Sequence, residues 1–404
     1  MIGARGFDVP RLFSDGELRH FSEAAAAALA RESLKPLHEA LAGNDTPERR
    51  ERAAFAISIQ GLAPLLATRP DAGSLPGDLA AFLASEKAAS SRRAAVLKQT
   101  LSEAVLALRE AEVEVVALKG AALAFFHYPD PSLRPMGDLD LLLRDRRGLG
   151  RATAALARSG WRRHLDTPRH RVFVRPDERV VRPGAEDAMN PVRLEIHTSF
   201  RLPVLGRVYD ASAALRAQAE TRDLDGTPAA IAAGPALLTH LLFHAAEDFA
   251  GNGIRGIQAY DFKLLSRREG PLRPELTPKE RFRDAAPLLF AADAIERLFP
   301  DTFEDSFLKS IARRTSKSVR TRAAALPPLR HTRPSRGWTR TLLSLVDARG
   351  AQVRFLVRTF FPTLGEVKAN TAPEASGIAL AAAWLRVFLS RAGAVRRQPP
   401  ASSR

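Results

Sequence analysis

The 404-residue chain contains no cysteine. Disulfide bridges, thiolate metal ligands and a thiol nucleophile are therefore excluded, and the expected setting is cytoplasmic. Aromatic residues are scarce, at 7%, and no aromatic–basic signature of an RNA-reading sheet is present. Long apolar runs are missing as well. The longest, such as IALAAAWL at 378–385, fall well short of the ~20 residues that cross a bilayer. The N-terminal MIGARGFDVPRLF has no apolar core followed by a small-residue cleavage site, so no signal peptide is expected.

Net charge is absent from the first three quarters of the chain. From Lys309 onward 19 Lys and Arg face only Asp347, Glu366 and Glu374, which accounts for the whole formal charge of +16. A basic C-terminal quarter attracts polyanions, RNA among them. The bland alternative is that an arginine-rich composition merely solvates helices. The amphipathic QVRFLVRTFFPTL (352–364) admits a third use, at an anionic membrane surface, although FLVRTFF reads equally well as a core helix.

The chain is too long for one ordinary core. Periodicity divides it into an N-terminal helical region (1–108), a small mixed-sheet α/β core (109–205), a helical domain packing on that core (206–314) and a basic C-terminal part (315–404). In the first region 21–42, 48–67 and 94–111 carry apolar residues at helical spacing. Thr46-Pro47 reads as an N-cap with proline at the first helical position. In the core, VEVVALK, DLDLLLR, WRRHL, HRVFVRP and VRLEIHTSF read as strands, and GLGRATAALARSG as a helix. After Leu202 the pattern turns helical, with helices expected at 235–250, 254–268, 284–299, 340–361 and 376–395. An exposed linker is expected over 315–340, and a disordered tail at the end.

The stretch LKGAALAFFHYPDPSLRPMGDLDLLL (118–143) concentrates the chemistry. Asp138 and Asp140 are two apart on a strand, so they share one face, while Leu139 and Leu141 take the other. Two carboxylates on a wet face suit hard divalent cations, which take oxygen ligands. Glu195 and His197 share a face in VRLEIHTSF. If that strand lies beside the aspartate strand, Glu195 completes a three-carboxylate metal cluster able to hold two ions. Lys119-Gly120-Ala121 forms a strand exit into a helix, where free backbone N–H groups can hold phosphates. Arg134 is placed for a phosphate clamp. His240 and His244 are four apart on a helix, but HLLFH lacks the HExxH glutamate and a third ligand.

LKGAAL…YPDPSLRPMGDLDLLL and RLEIHTSF together resemble a bacterial nucleotidyltransferase-like family of the DNA polymerase beta superfamily. They also resemble the LKGGTAL…DIDL pattern of abortive-infection nucleotidyltransferases. The resemblance covers 115–200, and continues more loosely through 241–265 and RFLVRTFFP. It implies an α+β nucleotidyltransferase core flanked by helices, and a transfer of a nucleoside monophosphate from an NTP to an acceptor hydroxyl. It implies magnesium, two ions with manganese as a substitute, on Asp138, Asp140 and Glu195. Gly120 and Ala121, beside Lys119, would hold the triphosphate. Arg134, His244, Arg255 and Asp261 would contact the nucleotide. The acceptor is open between small molecule, protein and RNA. The sequence departs from Gly-Ser or Gly-Gly at the first motif, where it has Gly-Ala. That departure keeps a second reading alive: a degenerate nucleotide-binding protein on the same fold.

Overall fold

The structure is a computed structural model that describes residues 15–167, 170–175, 190–204, 207–251, 253–274, 286–329 and 376–396, with a few positions between 343 and 367. The N-terminal region is helical: α1 (Asp15–Ala30), α2 (Lys35–Leu41), α3 (Pro47–Ile59), α4 (Ala63–Leu66) and α5 (Gly77–Glu110). Two of the expected helices are broken in mid-course. One bends where Glu32 takes φ 55°, the other where Gly61 takes φ 69°, a left-handed conformation that glycine adopts without steric cost. Thr46 caps α3 as expected, its side chain accepting from the Arg49 N–H at 3.3 Å with proline at the helix start. Helix α5 reaches back well beyond 94–111, because Leu79, Leu83, Ser90 and Arg93 form a continuous buried face.

All five expected core strands are present: β1 (Val115–Ala117), β2 (Asp138–Leu143), β3 (Arg162–Asp166), β4 (His170–Val174) and β5 (Arg193–His197). Between β1 and β2 lies α6 (Lys119–Phe126), and between β2 and β3 lies α7 (Leu149–Arg158). The helical expectation after Leu202 is corrected. A hairpin of β6 (Arg201–Val204) and β7 (Arg207–Asp210) follows, then α8 (Ser212–Ala217), β8 (Ala219–Leu224) and β9 (Thr227–Ala232). Strands β8 and β9 turn at Asp225-Gly226, both residues at positive φ. Asp-Gly is a strong hairpin signal because such turns need φ > 0 at both centres. Strand β9 then lies parallel to β1, so the mixed sheet has the order β3-β4-β5-β2-β1-β9-β8 and draws two strands from beyond residue 205.

The rest is helical: α9 (Gly234–Gly251), α10 (Gly256–Glu269), α11 (Ala286–Leu298), α12 (Asp305–Ala312), α13 (Lys317–Ala324) and α14 (Gly377–Arg396). The expected linker over 315–340 opens instead with α13, capped by the Ser316 side chain accepting from the Val319 N–H. The rest of that linker, the connector at 182–189, most of 340–361 and the terminal tail lie outside the described residues. Among the described residues no helix is long and apolar enough to cross a membrane.

The sheet separates two apolar cores. Leu139, Leu141 and Leu143 pack on one side with Leu97 and Leu101 of α5 and Leu156 of α7. Leu142 packs on the other with Leu242 and Phe243 of α9 and the buried residues of α1–α3. Alternation along β2 therefore sends Asp138 and Asp140 to the same side as α9, at the end of the sheet where β1 leaves for α6.

Candidate active site

The register of the central strands sets the site. β2 and β5 run parallel, with Asp140 directly beside Glu195 and Leu142 beside His197. β4 and β5 run antiparallel, with His170 opposite His197. The chain leaves β1 with the Leu118 N–H donating to the Asp140 carbonyl at 3.0 Å, and Lys119 then turns into α6 with φ 46°. Positive φ on a lysine is a strained conformation that persists only where its surroundings hold it. Here they do: the ammonium donates to Asp140 Oδ1 at 2.8 Å.

The face expected to be wet is largely buried. Asp138 is exposed, but Asp140 is only 3% exposed. Its compensation is protein-built, because His197 Nε2 also lies 2.8 Å from the same Oδ1. Burial pushes the Asp140 carboxyl up, yet Lys119 and His197 outweigh it and hold the group well below the usual carboxylate range. Asp138 goes the other way, raised by loss of water within the pocket walls and by repulsion from Asp140. Glu195 is pushed up to about 7, first by burial and then by Asp140. Burial acts to lower Lys119, but Asp140, Asp138 and Glu195 together keep it firmly protonated. Asp138 and Asp140 face one ammonium, and Glu195 adds a third negative charge once it ionises, at about pH 7.

A pocket of about 180 Å³ opens over this end of the sheet. It brings together Lys119, Gly120, Arg134, Asp138, Asp140, His244, Arg255 and Asp261. Gly120 allows a close approach: a Cβ there would lie 2.7 Å from Arg134 Nη1 and 2.8 Å from Met136 Sδ, so those side chains would have to shift. Ala121 is 1% exposed and packs in the apolar core of α5 and α7, away from the pocket. A hydroxyl at that position would be buried there, so Gly-Ala removes nothing from the pocket wall. Glu195 lines a second, smaller cavity of about 80 Å³ with Lys119, His170, His197, Ser199 and Glu247.

Arg134 and Asp261, each expected to contact the nucleotide, form one fork-to-fork pair. Arg134 Nε donates to Oδ1 at 2.8 Å and Nη2 to Oδ2 at 2.7 Å. The Tyr128 hydroxyl donates to the same carboxylate at 2.8 Å. The pair ties α10 to the segment that precedes β2. His244 Nδ1 meets Asp248 at 3.0 Å, within the α10-facing wall. His240 is fully buried, its ring edge-on to Phe200 at 4.0 Å. Burial holds its imidazole neutral, well below the usual histidine range. It therefore stands apart from His244 as a core residue.

Two supporting residues were not legible in the sequence. Arg93 of α5 is 1% exposed, and its guanidinium donates to the carbonyls of Gly137 and Asn190, both at 2.6 Å. It thereby pins the segments that enter β2 and β5. Gln60, at the end of α3, accepts from the Gly256 N–H through its side chain at 2.7 Å and from the Ile257 N–H through its carbonyl at 2.9 Å. It thereby holds the start of α10, where Arg255 donates to the Ile59 carbonyl at 3.0 Å. A buried arginine on a long helix and a glutamine in a helix break carry no spacing signal. Only the backbone groups they meet in the fold reveal them.

An acidic pair and a strand–glycine–helix turn thus share one pocket. The chain belongs to a family described as uncharacterised nucleotidyltransferases, whose model matches residues 49–282, more than half of its length. The match includes α3 to α5, so the helices that carry Gln60 and Arg93 are part of the family unit. No curated protein and no solved structure matches the chain significantly.

Proposed function

We propose that the protein is a magnesium-dependent nucleotidyltransferase that moves a nucleoside monophosphate from an NTP to an acceptor hydroxyl and releases pyrophosphate. The observation that carries the reading is Asp138 and Asp140 on one strand end, in the same pocket as the Lys119-Gly120 turn. The surplus negative charge of Asp138, Asp140 and Glu195 fits a hard divalent ion, and these residues would hold it. Bound there, magnesium or manganese supplies charge neutralisation at the phosphates.

The chain's own groups do the rest. The N–H groups at the start of α6, with the positive end of that helix, bind phosphate oxygens. Lys119 adds a fixed ammonium beside them. Glu195 takes the proton of the acceptor hydroxyl as its oxygen bonds to the α-phosphorus and the bond to pyrophosphate breaks. The Arg134–Asp261 pair closes the α10 wall over the nucleotide and orients it. The acceptor enters from the smaller cavity, where Glu195, Ser199 and Glu247 face it. RNA, a protein side chain and a small molecule are separate outcomes of one experiment. Labelled NTPs are incubated with the purified protein, magnesium and cell extract, and the labelled product is fractionated. Asp138→Asn is expected to abolish label transfer while leaving the circular dichroism spectrum unchanged. Full transfer by that variant would rule the mechanism out.

A further inference from the structure

We propose that His170, Glu195 and His197 form a second, chemically distinct metal site, for a borderline divalent ion of the zinc class. Among the described residues they are the group whose metal-capable atoms all lie within 4.8 Å of one another. The backbone forces the arrangement. His170 and His197 are direct cross-strand partners in β4 and β5, and Glu195 precedes His197 by two residues on the same face. The ring centroids are 4.9 Å apart.

The separations are those of a ligand set. Glu195 Oε2 lies 3.4 Å from His170 Nε2 and 3.6 Å from His197 Nε2. Both are too long for good hydrogen bonds. They match the edge of a tetrahedron around zinc, about 3.4 Å when each donor sits about 2.0–2.1 Å from the ion. The far nitrogen of His170 is held: Nδ1 lies 3.2 Å from Thr167 Oγ1. That contact aims Nε2 at Glu195, as outer partners of metal-binding histidines do. Two imidazoles and one carboxylate select zinc-class ions, whereas the all-oxygen pair Asp138 and Asp140 selects magnesium. The three donors face the smaller cavity, which leaves a coordination position open in the manner of catalytic rather than structural sites. Nε2 of His197 meets Asp140 Oδ1 at 2.8 Å, so binding requires the ring to turn from that contact with its proton carried on Nδ1, which leaves the Nε2 lone pair for the ion. Glu195 is shared with the proposed transfer site, so an ion bound here would keep it from taking the acceptor's proton, and the two uses of Glu195 exclude each other at one moment.

The inference does not depend on nucleotidyl transfer, and its test reads no activity. Cobalt(II), a spectroscopic stand-in for zinc, is titrated into the full-length protein and followed by visible absorption. One equivalent is expected to give intense low-coordinate bands that zinc abolishes on addition. His170→Ala should weaken cobalt binding by about 100-fold or more, since even outer partners account for 10–100-fold. Glu195→Gln, nearly isosteric, should do the same if the histidine variant folds poorly. Asp138→Asn should leave the bands in place. Absence of bands in the wild type, their survival in both ligand variants, or their loss in Asp138→Asn would each overturn the assignment. Transfer with magnesium in a protein that binds no cobalt removes this site alone; cobalt binding without transfer removes the other proposal alone.

Discussion

Asp140 and Glu195 are neighbours across two parallel strands, yet their surroundings push them in opposite directions. Asp140 has two donors on one oxygen and stays ionised; Glu195 has burial and repulsion and holds its proton to about pH 7. The sign follows from linkage. Between its ordinary 4.5 and about 7 the folded protein keeps a proton on Glu195 that the unfolded chain has released. Stability from this group therefore falls as pH rises through that window. In metal-free protein, Glu195→Gln should gain on the wild type between pH 4.5 and pH 7, by on the order of 2–3 kcal/mol. Urea denaturation at several pH values checks this, and magnesium should shrink the gain. A gap that stays constant with pH would contradict the assignment. The aspartate pair was legible because strand alternation fixes a shared face without knowledge of the fold, whereas Glu195 joins it only through the pairing of β2 with β5. What surrounds Asp140 was not. The sequence supports a wet face, whereas Lys119 and His197 reach the carboxylate from 21 residues upstream and 57 downstream. Such distant partners leave no local pattern.

At the scale of elements, the pocket is a set of strand and helix ends held by the N-terminal helices. Arg93 joins the entries to β2 and β5, the Ser90 hydroxyl donates to the Ser132 carbonyl at 2.6 Å, and Gln60 secures the start of α10. Arg93→Met removes a guanidinium shared by two carbonyls and leaves both, the Asn190 carbonyl in a buried setting, without that donor. It is expected to cost about 2–4 kcal/mol of stability and to lower kcat at least tenfold with little change in KM for NTP. Arg93→Lys, which can reach one carbonyl, should recover part of kcat. An unchanged kcat in Arg93→Met would show that α5 is only a scaffold. The five central strands and most helices were readable from periodicity. The hairpin β8–β9 was readable in principle from Asp225-Gly226, but TPAAIA lacks the β-branched texture of a strand, and its place beside β1 is a tertiary fact. Helix α5 outran its apolar pattern because its first half buries serine and arginine as well as leucine.

At the scale of the whole molecule, the family match begins at residue 49, but the folded unit does not. Leu18, Phe21, Leu34 and Leu37, all ahead of that point, are essentially fully buried in the same core as Leu242 and Phe243 of α9. Phe21→Ala should therefore cost about 3–5 kcal/mol, seen as a lower denaturation midpoint with unchanged slope. An effect below about 1 kcal/mol would mean that α1 is an appendage. The Lys119 contact bears on how such a molecule is made. An ammonium already seated on Asp140 gives a deeply buried carboxylate a counter-charge supplied by the chain itself. The compact form therefore needs no metal to compensate Asp140. On the proposed reading, ions and nucleotide would come late, to a protein already folded, in contrast to small metal-organised domains, whose folding and loading are one event.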